Sequence, residues 1–165
     1  MRTRHLILLL LNDSGGKIDS KTKLQKEMYF VSLLLNKDLN FKAHYYGPYS
    51  LKVEQGLDEL IGAGFIGVTR DIWGIENRYG FELKRYSFHL TKSGEMLAGI
   101  LTKMNSDENQ KIKEFVEKLN EMGNPDYISL SIAAKAFFIL NREEENLTRD
   151  QIIKKSKKFG WAIDV

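Results

Sequence analysis

The chain contains no cysteine, which removes disulfides, thiolate metal sites and cysteine nucleophiles from consideration. It has only three histidines, His5, His44 and His89, and their spacing builds no metal-ligating face. No Walker loop, no Gly-x-Ser-x-Gly and no dinucleotide fingerprint occurs. Catalysis, a cofactor and a metal site are therefore not expected. Long apolar runs are missing as well. The longest, Leu6 to Leu11, is far too short to span a bilayer. It follows Arg2 and Arg4 and so imitates a signal peptide, but the "NDSGG" behind it lacks a small-residue cleavage pattern. The run reads as an amphipathic first helix, no membrane contact is expected, and the cysteine-free composition fits a cytoplasmic protein.

Neither sign of charge dominates: the net charge is +3 and the pI about 8.9. The excess is uneven, with 13 Lys/Arg against 10 Asp/Glu in residues 1–90 and 12 of each in residues 91–165. A nucleic-acid binder of this composition needs its positive charge gathered on one face. Apolar residues at 42% and charged residues at 28% of the 165 positions describe a globular protein with a real core.

Residues 3–12 read as a first helix that is apolar on nearly every side and hence buried. Residues 13–20 form a turn through Gly15 and Gly16, with a short extended piece at Lys17–Ile18. Ser20 is placed to cap a helix over 21–36, whose stripe Leu24, Met28, Val31 and Leu35 faces the core. Lys21, Lys23 and Lys26 fall on its remaining surface.

The next stretch, "FKAHYYGPYS" (41–50), is unusually aromatic. It is either a packing device or a recognition surface. An extended segment alternates its side chains, which predicts Phe41 and Tyr45 inward and His44 and Tyr46 outward. Pro48 is placed inside the start of a helix over 49–64 that buries Leu51, Leu57, Leu60 and Ile61 and ends at Gly64. Gly56 in its middle is a position where a neighbour comes close. Residues 65–69 and 81–90 read as two strands joined by the loop "WGIENRYG".

Helices follow over 91–105, capped by Thr91, and over 106–122, with a stripe at Ile112, Phe115, Val116, Leu119 and Met122. A further helix over 126–141 is apolar enough to be either central in the core or a subunit interface. The last, over 148–161, opens with a capping box of Thr148 and Gln151. Its lysines Lys154, Lys155, Lys157 and Lys158 read as a solubilising face, and Phe159 and Trp161 as anchors of the tail.

The fold class expected is α+β, mostly α: a winged helix-turn-helix-like domain over 1–104 and a helical extension over 105–165 packed on it. Winged helices place the helix before the hairpin in the major groove and the wing against backbone or minor groove. Here that helix carries Lys52 against Glu54, Asp58 and Glu59, a net charge of −2 that opposes phosphate. The cations expected to meet duplex DNA are Lys21, Lys23, Lys26, Lys52, Arg70, Arg78, Lys84 and Arg85, with Tyr79 against sugar or base. The alternative partner is a protein held by His44, Tyr46 and Tyr49 with the helix over 49–64. A homodimer through the helix over 126–141 is the two-fold contact that a winged-helix regulator reading palindromic DNA needs.

Four groups of residues carry a resemblance: Lys23–Leu24–Gln25–Lys26, Tyr46–Gly47–Pro48, Gly64–Phe65–Ile66, and Leu90–Thr91 with Gly94. In these the chain resembles the YwgA-like and Panacea (SocA-like, antitoxin-associated) group of small prokaryotic and viral proteins over roughly residues 3–100. The segment "AAKAFFIL" and the later Gly160–Trp161 are similar to YwgA-like chains. The resemblance implies a winged-helix-like domain and a regulatory or antitoxin-like role, with no catalytic residues to transfer. Gly47–Pro48–Tyr49 stands closer to the YwgA pattern than to the Gly-Pro-Val usual in Panacea sequences.

Overall fold

The computed structural model describes residues 1–72, 84–143 and 146–161. The fold is α+β and mostly helical. Its centre is α1 (Thr3–Asp13), in which Leu6 through Leu11 are fully buried. An ordinary amphipathic helix leaves one face wet. Six consecutive apolar side chains leave none, so neighbours must close on every side. Those neighbours are α3 (Leu51–Gly62), α4 (Lys92–Met104), α5 (Ser106–Glu121) and the strand β5 (Lys84–Leu90). Gly56 of α3 is where two helices approach closely, since a Cβ there would lie 3.2 Å from Ile7 Cδ1.

A three-stranded antiparallel sheet closes one side, in the order β1-β5-β4, with β1 at Lys17–Ile18 and β4 at Ile66–Ile72. Ile18 is opposite Phe88 and Ile66 opposite Leu90, and all four side chains enter the core. The helix between β1 and α3 is α2 (Lys21–Leu34), and α2 is covered on two sides. Leu24, Met28 and Val31 join the α1 core, whereas Tyr29 belongs to a second cluster with Ala134, Phe138, Ile139 and Trp161. This cluster is assembled by α6 (Tyr127–Leu140), α7 (Arg149–Ser156) and a 3-10 turn at Lys157–Phe159. Residues 105–121 join the first core through Ile112 and Val116, so the helical extension shares the hydrophobic interior of residues 1–104. Among the described residues no helix is long and apolar enough to cross a membrane.

Three expectations fail here. Pro48 does not start a helix: Gly47–Tyr49 is a strand, β3, paired with β2 (Lys42–His44), and Ser50 caps α3 by accepting from Val53 N. Leu51 is exposed at the first position of α3, which starts two residues later than expected and buries Val53, Gly56, Leu57 and Leu60. Met122 is exposed as well, since α5 ends at Glu121. Of the two roles open to the helix over 126–141, packing inside the protein is present: α6 lies against α2, β3 and α7, with Ile128 and Phe137 exposed.

The join between β5 and α4 is tight. Thr91 Oγ1 donates to Gly64 O at 2.7 Å and accepts from Gly94 N at 3.1 Å. A Cβ on Gly94 would lie 2.1 Å from Phe65 O, a backbone atom with nowhere to go. Gly94→Ala is expected to cost ~2 kcal/mol or more, read as a lower urea midpoint. Gly62→Ala meets nothing within 4 Å and is expected to change stability by no more than ~1 kcal/mol, in the favourable direction.

Candidate functional site

The Lys-Leu-Gln-Lys group on α2 and the Tyr-Gly-Pro-Tyr-Ser stretch are in direct contact. Gln25 is buried and holds Ser50 at both backbone groups: its Nε2 donates to Ser50 O at 3.0 Å, and Ser50 N donates to its Oε1 at 3.0 Å. A side-chain amide thus replaces a missing sheet partner and satisfies both polar groups of a buried residue. Ser50 Oγ in turn donates to Leu39 O at 2.5 Å. One position along α2, Lys26 Nζ donates to Pro48 O at 2.8 Å. Gly47 fits between these parts for two reasons: its φ is +104°, and a Cβ would press on Lys135 Cγ and Lys26 Cε at 3.2 and 3.3 Å.

The hairpin is also held from the far end of the chain. The Trp161 indole N–H donates to His44 O at 2.6 Å, and Trp161 packs on Phe138 and Phe159. At its base the Tyr49 hydroxyl donates to Glu54, which also pairs with Lys21. Those two donors hold the Glu54 carboxyl below its usual range. Burial and the same carboxylate raise Tyr49.

What this frame presents is aromatic. Tyr45 is 74% and Tyr46 54% exposed, their rings edge to face at a centroid distance of 4.9 Å. His44 is exposed beside Tyr49, ring centroids 5.0 Å apart. The expected split holds for Phe41, which packs on Tyr29, and for His44 and Tyr46. It fails for Tyr45. The alternation rule applies only along a strand, and the strand ends at His44, so Tyr45 and Tyr46 lie in the turn and both point outward.

The cations expected to form one phosphate-facing patch do not gather. Lys26 is only 1% exposed and is corrected here from a surface contact to a structural one. Its helix is sandwiched between the α1 core and the α6–β3 layer, so the face opposite the apolar stripe is covered too. Burial, with Lys135 nearby, pushes its ammonium down to about 8. Lys21 pairs with Glu54, and Lys23 donates to Asn124 Oδ1 at 2.6 Å while lying 3.8 Å from Glu27. Lys52 is exposed on α3 and reaches Asp38 O at 3.3 Å; Arg70 is exposed on β4 over the Tyr86 ring. Lys84 and Arg85 belong to β5 by their backbone, opposite Ile72 and Asp71. Arg78 and Tyr79 lie outside the described residues.

Two cations that sequence reasoning passed over matter more. Arg2 and Arg4, together with Lys52 and Gln55, line a groove of about 290 Å3 between the start of α1 and α3. Arg4 pairs with Glu59 across it at 2.8 Å. Their pattern resembles a signal-peptide flank in the sequence, and only folding brings them beside Lys52. Among the described residues no three His, Asp or Glu side chains gather at metal-binding distance. No protein-family model matches the chain, and no curated protein matches it.

One buried carboxyl remains. Glu27 is 2% exposed, its Oε2 has no hydrogen-bond partner, and burial pushes it up to about 7 against the pull of Lys23. A carboxyl raised by folding stabilises fully below its unfolded value and loses that contribution as pH rises through the folded value. Between pH 5 and 8 the unfolding free energy is therefore expected to fall by up to about 3 kcal/mol from this group. Glu27→Gln should remove that decline, measured as the difference from wild type in urea unfolding at four pH values. Lys26, lowered to about 8, adds a slope of the opposite sign toward pH 8, but it is common to both proteins and cancels in the difference.

Proposed function

We propose that the chain is a non-catalytic, cytoplasmic, winged-helix-like protein that binds a protein partner through its aromatic hairpin. The observation that carries this reading is the exposed Tyr45–Tyr46 pair on a hairpin fixed by Gln25, Lys26 and Trp161. Tyrosine supplies large, rigid, amphipathic contact area, and a fixed loop loses little entropy on binding. His44 and Tyr49 extend the surface, and the exposed Asp58 and Glu59 of α3 suit a partner with basic groups at its rim. The order helix, strand, helix, helix, hairpin, interrupted by the β2–β3 hairpin between α2 and α3, and the β1-β5-β4 sheet support the winged-helix-like reading. The resemblance to YwgA-like and Panacea proteins supports an antitoxin-like or adaptor role.

A second reading, duplex DNA binding, is favoured by the groove of Arg2, Arg4 and Lys52 and by the exposed Arg70. It is weakened by the pairing of Lys21 with Glu54, of Lys23 with Asn124 and of Lys26 with the Pro48 carbonyl, and by the acidic α3.

Two measurements separate the readings. The immobilised chain and its Tyr45→Ser/Tyr46→Ser variant are compared by quantitative mass spectrometry of retained proteins. The expected result is a specific protein held by the wild type and depleted at least ~10-fold on the variant. The melting temperature should be nearly unchanged, because both side chains are exposed. Equal retention of every protein by both forms rejects the hairpin reading. In parallel, anisotropy with a random 25-base-pair duplex tests DNA. Binding that weakens steeply with salt and is lost in Arg2→Ala/Arg4→Ala/Lys52→Ala supports the second reading, and no binding at low salt removes it.

A further inference from the structure

Two clefts meet at one ion pair. On one side lies the polar groove of about 290 Å3 lined by Arg2, Arg4, Lys52 and Gln55. On the other lies a second cleft of about 260 Å3, bounded by α1, α3 and α4 and lined by Leu8, Leu60, Ala63, Phe65 and Leu97. Arg4 and Glu59 line both, so their bond at 2.8 Å stands where the two clefts meet.

The clefts differ in character. The first holds three cations against one carboxylate, and Arg2 makes no ion pair among the described residues. Lys52 reaches a backbone carbonyl, that of Asp38, at 3.3 Å. The second cleft is mainly apolar, with Leu8 and Leu60 buried and Phe65 and Leu97 partly so. Besides the shared pair, His5 is the ionisable residue that lines it. Burial, with Arg4 and Arg2 beside it, holds the His5 imidazole below its usual value. At neutral pH that ring brings no net charge to the cleft.

A cationic groove joined to an apolar cleft selects a molecule with one anionic end and one apolar end. Size decides that it is a small one. Each cleft alone falls below the ~300 Å3 at which small-molecule sites begin, and the two joined exceed it. The pair between them is solvent-exposed, and such pairs contribute little, so Glu59 leaves Arg4 at small cost. The head group that replaces it has the chemistry already seated on Arg4, a carboxylate, which a guanidinium holds through parallel hydrogen bonds.

We infer that Arg4 anchors a binding site for a small amphipathic carboxylate, an acyl anion whose head takes the place of Glu59 and whose chain lies along Leu8, Leu60, Phe65 and Leu97. This does not rest on the hairpin reading, because no hairpin residue lines either cleft.

Isothermal titration of the full chain with octanoate, below its micelle concentration and at neutral pH, tests this. A one-to-one complex with a dissociation constant below ~1 mM is expected. Acetate, which has the head alone, and octanol, which has the chain alone, should each bind at least ~10-fold more weakly. Two substitutions break the same ion pair with opposite results. Arg4→Gln should weaken octanoate binding at least ~10-fold, while Glu59→Gln removes the competing carboxylate and should tighten it ~3-fold or more. Ala63→Trp fills the apolar cleft from an exposed position and should also weaken binding, with the melting temperature nearly unchanged. Circular dichroism verifies that each variant is folded. Octanoate binding that is absent at ~5 mM, matched by acetate, or insensitive to Arg4→Gln overturns the inference. So does weaker binding by Glu59→Gln, which would mark the ion pair as a strut rather than a gate.

Discussion

Everything in this protein is arranged around the need to keep one helix dry. Leu6 to Leu11 point in every direction around α1, and each is inaccessible to water. At ~2 kcal/mol for a fully buried leucine or isoleucine, this run is the largest continuous source of stability in the chain. It is also a topological demand. A helix with no polar side must be surrounded, and the partners available are α3, α4, α5 and the sheet edge at β5. Each of those has one apolar face and one wet face, so the first shell around α1 is also the last on that side of the molecule.

α2 escapes that rule and pays in buried charge. It is the element that lies between the two hydrophobic clusters, with Met28 in one and Tyr29 in the other. Residues 24–29 are all buried, and three of the six are polar or charged. Each meets a different fate. Gln25 finds a backbone to complete, Lys26 finds one carbonyl, and Glu27 keeps an oxygen without a partner. The ordering of the hairpin follows from the first two, because the groups that satisfy them belong to Pro48 and Ser50. Polar burial here specifies position rather than adding stability.

Much of this architecture is visible in the sequence because it depends on local chemistry. Ser20, Thr91 and the Thr148–Gln151 pair all cap the helices they precede, and the short strand Lys17–Ile18 is present. Capping is decided within four residues, and periodicity within a dozen, so both survive without knowledge of the tertiary fold. The misplaced residues share a different cause. Lys26 is buried because α6, more than a hundred residues later, covers the side of α2 opposite its stripe. Its own window shows only a lysine on the polar side of an amphipathic helix. Tyr45 and Pro48 depart from local rules because a three-residue strand pair has too few positions for alternation to register, and because the partner that fixes Ser50 is a side chain. Arg2 and Arg4 meet Lys52 only through the close packing of α1 and α3 at Gly56, which is a property of the fold.

The bond from the Trp161 indole to the His44 carbonyl spans 117 positions in the chain. Ribosomes deliver a polypeptide in order, at ~5–20 residues per second, so the hairpin is made many seconds before the residue that completes its support. During that interval α1 and its covering helices have time to collapse, while the tyrosine tip lacks one of its three fasteners. The exposed Tyr45–Tyr46 tip is therefore the last part to gain its full support. The centre of the molecule thus has time to pack before the far side of the hairpin's support has been made.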